Sequence, residues 1–101
     1  MQIALTPNTV YTFKLTSGEE LIAKVIQSGG DFLQIEEPVS IAPGPKGLGF
    51  VPSVFTADPK GNFRLNTSTI TVYAETDDDI KMKYLEATTG IKVPEKKILV
   101  G

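Results

Sequence analysis

A chain of 101 residues has room for one domain with a modest core. It contains neither histidine nor cysteine, which excludes the commonest general base, a thiolate nucleophile, disulfides and the usual zinc sites. Apolar residues at 41% and charged residues at 22% are globular usage, and a net charge of −2 excludes a grip on nucleic acid by bulk positive charge.

Val10 to Leu15 alternates, with Tyr11, Phe13 and Leu15 on one face and Thr12 and Lys14 on the other, so it reads as a half-buried strand. Thr16-Ser17-Gly18-Glu19 follows as a tight turn in which Gly18 is free to take positive φ. Glu20 to Gln27 is the second strand. Leu21, Ala23 and Val25 share one face while Ile22 and Ile26 share the other, which predicts cover on both sides. Ser28-Gly29-Gly30-Asp31 is a second turn.

A third strand starts at Phe32. Leu33, Ile35, Val39 and Ile41 keep one parity, and Glu37-Pro38 marks a bulge or sharp bend that lets a small sheet curl. Ala42 to Gly49 reads as a loop by composition, Phe50 to Ala57 as a fourth strand with Pro52 inside it, and Asp58 to Asn62 as a turn. Phe63 to Leu65 is a short return strand, and Thr67 to Tyr73 is the last. The buried set expected from these parities is Phe13, Leu15, Leu21, Val25, Leu33, Ile35 and Val72.

The period then changes to that of a helix over about 77–89. Thr76 is the expected cap, Asp77, Asp78 and Asp79 suit the first turn, and Gly90 fits the position past the end. Ile80, Tyr84 and Ala87 share one side. Residues 91–101 form a lysine-bearing tail. No internal repeat or domain boundary interrupts 1–101, no segment is apolar enough to span a bilayer, and Met1 to Val10 does not read as a secretory signal. A cytoplasmic location is expected.

Little in the chain suits catalysis. Glu36 and Glu37 are adjacent on a strand and so point to opposite faces, a poor geometry for an acid/base pair. Three consecutive aspartates do not converge on a cation without further ligands, and read as a helix start. Gly44, Gly47 and Gly49 precede no helix that could receive a phosphate. No metal or cofactor is expected, and the chain reads as non-enzymatic. The residues that suit binding lie in or beside loops: Lys46, Lys60, Asn62 and Arg64, the only arginine, with Phe63 adjoining it. A base can stack on an aromatic while its phosphate meets a cation.

Tyr11 to Ile41 resembles the first motif of the Sm-like (LSm) family of ring-forming RNA-binding proteins. Leu15-Thr16-Ser17-Gly18 is similar to that family's Leu-x-x-Gly turn, and Leu21, Ala23 and Val25 follow as its second strand does. The resemblance implies a strongly bent, five-stranded open barrel, here with a C-terminal helix where the family has an N-terminal one. It also implies a closed homo-oligomeric ring of about five to seven copies, and single-stranded RNA, or DNA, as partner. A divergent member of phage or bacterial origin is expected, in the host cytoplasm if phage-encoded. The family reads RNA through the loop between strands two and three, where Gly29, Gly30, Asp31 and Phe32 are the nearest equivalents here, and carries Arg-Gly or Lys-Gly before its last strand, where Lys60-Gly61 is the nearest such pair. The candidate nucleic-acid site is therefore Asp31, Phe32, Lys60, Asn62 and Arg64. The alternative is an SH3-like barrel acting as a protein-interaction or viral assembly module. What separates the two is whether those five residues converge on one exposed face.

Overall fold

The computed structural model describes residues 4–89. The chain order is β1 (Thr9–Leu15), β2 (Glu20–Gly29), β3 (Phe32–Gly44), β4 (Gly47–Pro52), β5 (Phe63–Asn66), a 3-10 turn at Thr67–Thr69, β6 (Ile70–Glu75) and α1 (Asp78–Thr89). Every pairing is antiparallel. Five strands follow one path, β4-β3-β2-β1-β6, and the short β5 pairs with β3. β5 takes residues 32–35 of β3 and β4 takes 39–44, so one long strand carries both on the edge away from β2. The result is a mainly β, bent open barrel with a C-terminal helix.

Two bulges make the bend. Between the Ile22–Val39 and Lys24–Glu36 pairs, Glu37 and Pro38 together oppose Ala23. Between Val25–Ile35 and Gln27–Gln34, Ile26 is the extra residue on β2. Glu37 sits in the left-handed region at φ 53°, which costs a non-glycine residue about 1–2 kcal/mol. Three contacts hold it there. Its N–H donates to the Pro59 carbonyl (2.9 Å), its carboxylate takes the Lys60 ammonium (2.9 Å), and its carbonyl accepts from the Tyr84 hydroxyl (2.8 Å).

The bulge also corrects the expected parity of β3. Leu33 and Ile35 enter the barrel core with Tyr11, Phe13, Leu21, Ala23, Val25 and Ile70, whereas Val39 is turned to the opposite face. There Val39 joins Val10, Ile22 and Tyr84, with Ile41, Phe50 and Ile80 partly buried around them. β2 is thus covered on both sides, as its sequence requires. One face closes the barrel, and the other receives α1, whose Tyr84 is 1% exposed.

Other boundaries differ from expectation. The turn after β1 forms with Gly18 at φ 93°, while the next turn narrows to Gly30-Asp31. Ala42 to Gly49 is no loop: Ala42 pairs with Gly49 and Gly44 with Gly47, leaving Pro45-Lys46 as a two-residue hairpin tip. β4 stops at Pro52, which has no N–H with which to extend a ladder, so Val54 to Ala57 is irregular. Thr67 to Thr69 winds into a 3-10 turn capped by the Asn66 side chain, which shortens the last strand to Ile70–Glu75.

Val72 is 60% exposed, against expectation. Lys14 pairs with Val72 and Leu15 with Ile70, so Thr71 is an extra residue that reverses the parity of β6. Ile70 takes the core position instead, and Leu15 is only partly buried. At the helix start, Thr76 does not cap: its hydroxyl meets that of Thr12 at 2.9 Å. Asp77 caps, its carboxylate accepting the Asp79 N–H and its carbonyl the Lys81 N–H. Gly90 and the tail lie outside the described residues.

Candidate nucleic-acid interface

Alternation on two paired strands builds one exposed face. Leu33 and Ile35 point into the core from β3, so Phe32 and Gln34 point out. On β5, Phe63 and Leu65 pack against the core while Arg64 and Asn66 are exposed. Phe32 pairs with Asn66 and Gln34 with Arg64, which makes Phe32 and Arg64 diagonal neighbours. The Arg64 guanidinium carbon lies 4.8 Å from the centroid of the Phe32 ring. Beside them, Gln34 Nε2 donates to Asn62 Oδ1 at 3.1 Å.

Gly29 stands across from Phe32 on β2, and the ring lies against it. A Cβ at Gly29 would sit 3.0 Å from the ring's Cζ, so a larger residue there would push the ring outward by a few tenths of an ångström. The aromatic ring thus spans the β2 backbone beneath the guanidinium. Phe32 is half-buried, while Arg64 and Asn62 are exposed.

The other two candidates stand apart from this array. Asp31 occupies the adjoining turn, exposed, and its carbonyl accepts the Thr67 N–H at 3.0 Å. That bond ties the turn to the end of β5. Lys60 turns away from the array, because its partner is Glu37, five positions along β3 from Phe32. Its ammonium also donates to the Thr88 carbonyl at 3.2 Å. Lys60 therefore supplies the cation that the last turn of α1 lacks among its own residues. Lys46 is at the exposed tip of the β3–β4 hairpin.

The charges around Lys60 explain its titration. Its hydrogen bond to Glu37, followed by that carboxylate's charge, raises the ammonium above the ordinary lysine range. Burial raises Tyr84 well above the ordinary phenol range, with the Glu37 carboxylate adding to it. Lys60, Glu37 and Tyr84 form one structural knot joining β3, the 58–61 turn and α1.

Phe32, Asn62 and Arg64 thus share a face, Asp31 borders it, and Lys60 serves the fold. Sequence reasoning missed Gln34, and it placed Gly29 in the loop without its position against the Phe32 ring. The period-2 step from Phe32 could have found Gln34, whereas Gly29 follows only once the register is known.

Among the described residues, no group of three or more Asp and Glu side chains could hold a metal ion. No described helix is long and apolar enough to cross a membrane. No known protein family matches the chain, and no curated protein is detectably similar to it.

Proposed function

We propose that this chain is a non-catalytic, Sm-like barrel that binds single-stranded nucleic acid, RNA rather than DNA, on the β3–β5 face. The observation that carries the reading is the Arg64 guanidinium stacked 4.8 Å over the Phe32 ring on an exposed surface. A planar cation on an aromatic offers a base a stacking surface and a phosphate a charge, and the Gln34–Asn62 amide pair beside it offers further donors and acceptors. Stacking of this kind tolerates the acidic balance of the chain, because it does not rest on bulk charge.

Assembly into a closed ring is the second half of the proposal. Large apolar side chains are exposed at both ends of the open sheet: Val72 (60%) and Tyr73 (46%) on β6, and Leu48 (66%) and Val51 (41%) on β4. Bare edges of this kind invite pairing, and pairing β6 of one copy with the β4 end of the next is head-to-tail, so it must close or run on.

The test is a fluorescence-anisotropy titration with oligo(U) and oligo(A). Replacing Phe32 by Ala removes the stacking surface, worth about 1–3 kcal/mol per base, so affinity is expected to fall at least about fivefold. Unchanged affinity would remove the face from the account. A second reading, a protein-interaction or viral assembly module, is favoured by one observation. A groove of about 390 Å³ runs between β4, residues 53–60 and the end of α1, walled by Val39, Phe50, Val51 and by Phe55, which is 81% exposed.

A further inference from the structure

A second groove, of about 270 Å³, lies on the helix-bearing face of the sheet, at the start of α1. Its floor is apolar, from Ile22, Ile41, Phe50 and Ile80, and Leu48 stands 66% exposed at its side. Its rim is acidic. Glu20, Glu75 and Asp77 line it, all exposed, and the base that the strand register sets beside them is Lys14, across from Glu20. An apolar floor under three carboxylates suits a segment that is both aliphatic and basic.

The chain carries such a segment. After α1 ends at Thr89, residues 91–100 read Ile-Lys-Val-Pro-Glu-Lys-Lys-Ile-Leu-Val, with three lysines against one glutamate. We propose that this C-terminal segment docks in the acidic-rimmed groove of its own chain. Reach permits it. α1 is 12 residues long, about 18 Å, so its last residue is that far from the groove beside Asp77. The eight residues from 90 to 97 span roughly 26 Å when extended. Lys96 and Lys97 can thus come level with Glu75 and Asp77, and the aliphatic residues at 98–100 with the floor. The proposal is independent of nucleic-acid binding, since it uses another part of the surface.

The absence of cysteine makes the test clean. A nitroxide on Gly101→Cys leaves residues 91–100 intact, and its effect on amide signals of the full-length protein reads proximity. In nitrogen-15 chains diluted with excess unlabelled wild type, the amides of Leu48 and Ile80 are expected to broaden, while those of the 29–31 turn do not. Lys96→Glu with Lys97→Glu in the same chain should abolish that broadening. Broadening that is absent, uniform or indifferent to charge reversal overturns the proposal. So does broadening that appears only between different molecules, which would seat a neighbour's segment in the groove.

Discussion

Single residues decide where this sheet bends and what it can present. Glu37 bears a left-handed conformation that its neighbours compensate, so the replacements at that position should diverge. Glu37→Gly removes the strain along with the Lys60 contact, whereas Glu37→Val loses the contact and keeps a β-branched side chain at φ 53°. Glu37→Val is expected to be the less stable of the two by about 1–2 kcal/mol in urea melts. In the core, Leu33→Ala or Ile35→Ala should each cost roughly 2–5 kcal/mol, while Val72→Ala, on the exposed side of β6, should stay within about 0.5 kcal/mol. Tyr84 sets an alkaline limit. Its phenol is raised on folding, so it contributes stability that is full below about pH 10, the unfolded value, and is lost as pH rises further. Lys60, also raised, acts in the same direction. Urea midpoints measured from pH 8 to 11.5 should fall at the alkaline end, and Tyr84→Phe should flatten that fall.

At the scale of elements, what was legible in the sequence is what depends on local pattern. β1, β2, the turn at Gly18 and the helix follow from alternation, turn chemistry and a change of period, and Phe13, Leu21, Val25, Leu33 and Ile35 lie in the core where their parity puts them. The parity misses share one physical cause: an extra residue reverses every side chain after it. Thr71 exposes Val72, and the Glu37-Pro38 bulge sends Val39 to the helix side. Neither shift can be read before the partner strand is known. The glycine-rich stretch from Ala42 to Gly49 misled by composition, since two flanking glycines close a hairpin there. For the candidate site, the residue types were legible but the grouping was not. Lys60 and Arg64 sit four apart in sequence, yet one leaves for Glu37 and the other folds over Phe32.

At the scale of the whole molecule, the open sheet has an apolar edge at each end, and the proposed assembly rests on which backbone groups point outward from those edges. Thr76 N–H donates to the Val10 carbonyl, so by antiparallel alternation the N–H of Tyr73 points away from β1. Tyr73→Pro therefore removes an outward donor without breaking the β1–β6 ladder. By light scattering, the wild type is expected at roughly five to seven times the 10.9 kDa of one chain, and Tyr73→Pro at one chain. A wild type that is monomeric at micromolar concentration would remove the ring. Nucleic-acid binding is the central proposal, and each copy offers one arginine to it. The most direct measurement is the affinity for oligo(U) as a function of salt, for the wild type and for Arg64→Ala. Expected for the wild type is saturable binding that weakens as salt rises, with Arg64→Ala binding more weakly and with a shallower salt slope. Absence of salt-sensitive binding to oligo(U), oligo(A) or oligo(dT) at low ionic strength would contradict the nucleic-acid reading and leave the interaction module in its place.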